Sequence, residues 1–166
     1  LKERNLATTL GAGIWEGTVD YTTASFGIDL TPYGKDNYEE VLELIFGYIE
    51  LLRQSPYPDY FFEEQRTMAK LHEVYSSKGE GAQRAVDLAN RALALPLEVA
   101  EKAPTTFLRE DPEFYYAMLD RLRPDNMIAI LSARDIEGEE IEEIYGTEYT
   151  YLEIGDDLFD QLSNPG

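Results

Sequence analysis

The sequence predicts an α+β fold: an antiparallel sheet with helices packed on one side. Three observations predict it. Two β-tolerant segments follow one another at the start, several amphipathic helical stripes come next, and an apolar run of strand length follows them. The 166 residues make one ordinary domain rather than two. With 43% hydrophobic residues the chain can bury a core, which excludes disorder for most of its length.

Residues 6–14 are small and carry Gly11 and Gly13, as in a strand that other backbone approaches closely. Gly17 marks a turn, and Val19 to Leu30 offers Tyr21, Phe26, Ile28 and Leu30 for a second, half-buried strand. Together they predict an antiparallel hairpin. Thr31-Pro32 is a helix start, with Thr31 as cap and Pro32 in the first helical position. Val41, Leu44, Ile45, Tyr48, Leu51 and Leu52 then form a stripe that ends near Gln54, opposite a face of Asp36, Glu39, Glu40, Glu43 and Glu50.

Ser55-Pro56-Tyr57-Pro58 breaks the chain, and a second long helix is expected from Asp59 to Ser77. Its repeat of Phe61, Gln65, Met68, His72 and Tyr75 reads as the packed stripe. Gly79 to Gly81 reads as a hinge before a small-residue helix with Ala85, Val86, Ala89, Ala92 and Leu93. After a connector from Leu95 to Pro104, Asp111-Pro112 opens a fourth helix with Tyr115, Met118, Leu119 and Leu122 inward and Pro124 as its stop. Asn126 to Ser132 reads as a central strand covered on both faces. From Asp135 to Asp160 there are eleven acidic residues and no Lys or Arg, a stretch expected to stay solvated and to be pinned by Tyr145, Tyr149 and Tyr151.

Composition excludes several functions. Thirty-three acidic residues against fourteen Lys and Arg give a net charge of −19. Nucleic-acid binding depends on cations that displace counterions, so no nucleic-acid partner is expected. Anionic membrane surfaces are disfavoured for the same reason, and the apolar runs are far shorter than the roughly 18–20 residues of a spanning helix. Basic or neutral peptides are the favoured partners. The absence of cysteine removes disulfides, thiolate nucleophiles and cysteine-held zinc, and is compatible with cytoplasm or bacterial periplasm.

The single histidine, His72, cannot build a two-histidine zinc site, and its place on a helical stripe argues against a triad base. Neighbouring carboxylates such as Glu39/Glu40, Glu63/Glu64 and Glu139/Glu140 point about 100° apart on a helix and do not converge. Gly11-Ala12-Gly13 lacks the third glycine of a dinucleotide fingerprint, and the acidic run lacks calcium-loop spacing. From the residues alone no catalytic or metal site is expected.

Six marks in one order carry a family resemblance. They are Asn5-Leu-Ala-Thr-Thr-Leu, Ile28-Asp-Leu-Thr-Pro-Tyr-Gly34, Ile45-Phe-Gly-Tyr-Ile-Glu-Leu-Leu-Arg53, Phe62-Glu-Glu-Gln, Arg121-Leu-Arg-Pro-Asp-Asn-Met127 and Tyr145-Gly-Thr-Glu-Tyr149. From Leu1 to Tyr151 the chain resembles the second, non-catalytic domain of the insulysin/pitrilysin family of zinc metallopeptidases. The resemblance implies the α+β metallohydrolase domain shared by insulysin, pitrilysin and mitochondrial processing peptidase. It further implies a parent of four similar domains around a chamber, with zinc held in the first domain by His-x-x-Glu-His and a distal Glu. This segment contains no such motif.

On this resemblance, residues 1–151 are expected to be a partial second domain whose upstream part is missing, and 152–166 an acidic tail or linker. The opening Leu-Lys-Glu-Arg, without Met, also reads as a cut from something longer. The family implies peptide substrates and other domains of the same chain as partners. It also implies a strand, here Leu10, Ala12 and Ile14, that lends its backbone to a peptide far from the zinc. Ala12 and Ile14 depart from the glycine and polar residue often found there. The alternative for Gly11 and Gly13 is a bulge or tight sheet packing. An uncovered sheet edge predicts that the chain by itself self-associates, more so in salt. The rival to the peptidase reading is an acidic interaction or scaffold domain without peptidase activity.

Overall fold

A computed structural model describes residues 1–18, 20–75, 81–107 and 109–165. In chain order the elements are β1 (Ala7–Gly17), β2 (Thr22–Leu30), α1 (Pro32–Asp36), α2 (Tyr38–Gln54), α3 (Asp59–Tyr75), α4 (Gly81–Ala94), α5 (Leu97–Ala100), α6 (Pro112–Leu119), β3 (Glu140–Ile141), β4 (Glu148–Tyr149) and α7 (Asp156–Ser163). They fall into two compact units, Leu1–Ser55 with Ala117–Gly166, and Pro56–Tyr116.

In the first unit β1 and β2 form the antiparallel hairpin, with Leu10 opposite Ile28, Ala12 opposite Phe26 and Ile14 opposite Ala24. Thr18 closes its turn: the hydroxyl oxygen accepts from the backbone N–H groups of Asp20 and Tyr21, each at 3.2 Å. Val19 lies outside the described residues. The single helix expected after Thr31 is two, α1 and α2, divided at Asn37. There the side-chain amide donates to the Tyr33 carbonyl at 2.8 Å, giving the backbone an alternative to continuing the helix.

The face that α2 buries is Val41, Phe46 and Ile49, while the expected stripe residues Tyr48 and Leu51 are exposed. The cause is long-range. Phe46 and Ile49 pack with Leu162 of α7, flanked by Leu42, Ile45, Leu122, Met127 and Leu158. The segment 152–166, expected as a tail or linker, thus carries a core helix, with Leu162 only 1% exposed. Every third or fourth residue of α7 is apolar, and acids at Asp156 and Asp157 suit its N-terminus.

The central strand expected at 126–132 is not formed. A 3₁₀ turn takes Pro124–Asn126, the following residues are irregular, and Ile128 is 91% exposed. An apolar run becomes a strand only where a neighbour supplies hydrogen bonds, and among the described residues β1 and β2 pair only with each other. The expected sheet is therefore realised as two small ladders, β1–β2 and β3–β4. The second interrupts the acidic stretch: Glu140 pairs with Tyr149 and Ile141 with Glu148. Its turn needs Gly146, which has φ +70°, the left-handed region open to glycine.

In the second unit α3 is half-buried along Phe62, Arg66 and Ala69, and Phe62 meets Phe107 edge-on at 6.2 Å. The stripe expected on this helix, Phe61, Gln65, Met68, His72 and Tyr75, is exposed instead. Both stripes have helical period, and the one that packs is the one facing the 3₁₀ turn at Ala103–Thr105. Residues 76 and 77 and the hinge positions 79 and 80 lie outside the described residues. On α4 the small residues Ala85 and Ala89 are exposed. The join of α4 to α5 is made by arginines: Arg91 donates to the Ala100 carbonyl at 3.3 Å and Arg84 pairs with Glu101.

Candidate functional site

Strand periodicity puts Leu10, Ala12 and Ile14 on one face of the hairpin, beside Ile28, Phe26 and Ala24 of β2. That apolar face is open: Leu10 is 49% exposed, Phe26 41% and Ile14 63%. The opposite face carries Gly11, Gly13 and Gly27, where an added β-carbon would meet nothing within 4 Å. Among the described residues nothing packs tightly on these glycines, while the ladder does shift register, as at a bulge, between Ile14 and Glu16 just beyond Gly13. Among the described residues only one edge of β1 is paired, and its other edge presents unpaired N–H and C=O groups. The structure thus places the three expected site residues together on an accessible strand. Sequence reasoning missed Phe26 as their neighbour: counting back from the Gly17–Thr22 pair sets Gly27 opposite Ala12, and only the register shift between Ile14 and Glu16 brings Phe26 there.

The base of this strand is fixed by a clamp. Leu6 and Ala7 are buried. The Thr31 N–H donates to the Leu6 carbonyl at 3.0 Å. The Thr31 hydroxyl donates to the Asn5 carbonyl at 2.5 Å and accepts from the Gly34 N–H at 2.9 Å, capping α1. Gly34 lies against the Leu6 backbone with no room for a side chain. The Leu-Thr-x-x-Gly mark is the sequence form of this clamp.

The other marks are architectural too. The Arg53 guanidinium donates to the carbonyls of Leu119 at 3.0 Å and Leu122 at 2.8 Å, and pairs with Glu50 at 3.0 Å. Asn126 donates to the Arg121 carbonyl, and Arg123 pairs with Asp125, each at 3.0 Å. In the β3–β4 turn the Glu142 carboxylate accepts from the N–H groups of Ile144 and Tyr145, and the Tyr149 hydroxyl donates to Glu140 at 2.7 Å.

The perturbed titrations have structural causes. Asp135 is held below the usual carboxylate range by its hydrogen bond from Lys35, which is raised in turn. Glu50 is lowered by hydrogen bonds from Arg53 and Gln54. Asp111 is lowered chiefly by the Phe114 N–H that it caps, and then by Arg109. The Glu140 hydrogen bond raises Tyr149. Burial first, then Glu110, raises Tyr57. Among the described residues no three His, Cys, Asp or Glu side chains are grouped to hold a metal, and His72 is a solvated helical residue. No helix among them is long and apolar enough to cross a membrane.

This arrangement is an α+β segment whose accessible feature is a strand, and it has the fold of a peptidase domain. The crystal structure of pitrilysin superposes with a TM-score of 0.86 over 99% of the chain, at 18% identity, using 18% of that structure's chain. Residues 74–166 match the family model described as the middle or third domain of peptidase M16, and the chain belongs to that family. Among similar proteins, insulin-degrading enzyme-like 1, peroxisomal, of Arabidopsis thaliana is 31% identical over 93% of this chain. The A-factor-processing enzyme of Saccharomyces cerevisiae is 29% identical over 100% of it, and human insulin-degrading enzyme is 27% identical over 99%. The chain spans 16% of the length of each of these relatives.

Proposed function

We propose that this chain is a non-catalytic, substrate-holding wall segment of a longer insulysin/pitrilysin-like zinc metalloendopeptidase that degrades peptides. The observation that carries the reading is β1: accessible, paired on one edge only among the described residues, and bearing Leu10, Ala12 and Ile14. A peptide adds to that edge as a further strand, and main-chain hydrogen bonds supply affinity with little demand on sequence. With one histidine and no cysteine, the sequence offers few zinc ligands. The zinc belongs to the first domain of the parent.

In this reading residues 1–151 belong to the second domain of the parent, as the resemblance implies, while the family match over residues 74–166 carries the description middle or third domain. The other partners are the remaining domains of the same longer protein.

The test is Ala12→Pro in the full-length protein, which removes one backbone donor and fixes φ. Michaelis constants for long peptides should rise while those for short fluorogenic peptides hold. Unchanged constants for long peptides in a folded variant would rule out this strand as the holding site.

A further inference from the structure

We propose that Ala12 forms a notch selecting one bulky apolar side chain of a cationic peptide held along β1, an inference that rests on the substrate-holding role above. Along the apolar face the order is large, small, large: Leu10, Ala12, Ile14. Phe26 stands opposite Ala12 across the ladder, so its ring is the far wall of the gap between Leu10 and Ile14. All three of the larger residues remain accessible, which leaves the gap open to solvent.

An added strand lies about 4.8 Å from β1 and shares its alternation of faces. The peptide residue beside Ala12 therefore turns its side chain into the gap and meets Phe26 behind the methyl group. Its two neighbours lie beside Gly11 and Gly13, where there is no side chain to select anything. The charge of the occupant follows from the same stretch. Residues 5–34 contain Glu16, Asp20 and Asp29 but no Lys or Arg, in a chain of net charge −19. Such a surface attracts cations and repels acidic peptides. The fitting partner is an extended peptide with Lys or Arg flanking one Phe-sized residue.

The experiment measures binding of labelled pentapeptides to the full chain by fluorescence anisotropy. The probes are Lys-Thr-Phe-Thr-Lys, its Gly-for-Phe form, its Glu-for-Lys form, and a form with N-methylated backbone amides. The Phe probe should bind about tenfold more tightly than the Gly probe, as for partial burial of one aromatic side chain. Phe26→Ala and Ala12→Leu should each abolish that preference, and Phe26→Leu should keep part of it. A preference unchanged in the folded Phe26→Ala variant overturns the notch, as does equal binding of the Glu probe for its charge. Full-strength binding of the N-methylated probe instead overturns the added-strand reading itself, so the two failures are told apart.

Discussion

Gly34 lies so close to Leu6 that a β-carbon on it would stand 1.8 Å from the Leu6 carbonyl oxygen. The contact joins the first turn of α1 to the foot of β1, and Thr31 stitches the same two places with hydrogen bonds.

Gly34→Ala should therefore destabilise the first unit by about 3 kcal/mol, the scale of a core overpacking against backbone that cannot yield. Thr31→Ala, which removes only the cap and its bonds, should cost about 1 kcal/mol, and Thr31→Ser much less. Urea unfolding followed by circular dichroism measures both. An alanine at residue 34 with an unchanged midpoint would refute the clamp.

Arg53→Lys should cost about 2 kcal/mol, because a point-charge ammonium cannot reproduce the forked contacts to the Leu119 and Leu122 carbonyls and to Glu50. Arg53→Met should cost as much or more, since it takes the side-chain donor from the Leu122 carbonyl and leaves the Leu119 carbonyl with the Leu122 N–H alone. Equal stability of Arg and Lys in denaturant titrations would show that only charge matters there.

Acid should weaken the folded state. Asp135 and Glu50 have folded pKa values below their ordinary values of 3.8 and 4.5. Groups lowered in this way contribute stability above the unfolded pKa and lose it as pH falls through the folded one. Lys35, raised above 10.5, behaves oppositely and loses its contribution only in strong alkali. Unfolding midpoints should fall below about pH 4.5, and Asp135→Asn should flatten that limb. A variant with the same acid limb as the parent sequence would remove Lys35–Asp135 from the account.

The chain by itself should associate, more so at higher salt. The unpaired edge of β1 and its apolar face favour association, while the net charge of −19 opposes it until screening shortens the Debye length to about 8 Å near 0.15 M salt. Sedimentation velocity across concentration and salt checks this, and a monomer under every condition would contradict it.

After dialysis the chain should retain no stoichiometric zinc, because it has one histidine, no cysteine and no metal-holding group among its described residues. One tightly held zinc per chain in elemental analysis would overturn this expectation.

Local chemistry was readable in advance. Alternating β-formers gave the hairpin, Thr31-Pro32 gave the start of α1, and Asp111-Pro112 gave the start of α6. Faces were harder, because the side of a helix that packs depends on what arrives later. Nothing near Tyr48 reveals that Leu162 will select Phe46 and Ile49 instead. Likewise Phe61 and Phe62 are equal candidates until Phe107 chooses the second. The run at 127–131 has strand composition, yet no neighbouring strand pairs with it among the described residues. Of the site, Leu10, Ala12 and Ile14 were reached through the family resemblance. Only the ladder register brought Phe26 into it.

The packing of α7 on α2 also orders events on the ribosome. More than a hundred residues separate Ile49 from Leu162, so at roughly 5–20 residues per second α2 leaves the exit tunnel many seconds before its cover is synthesised. During that interval the nascent chain displays Phe46 and Ile49 to water or to a chaperone, while the hairpin and its clamp, built from neighbours in sequence, can already close.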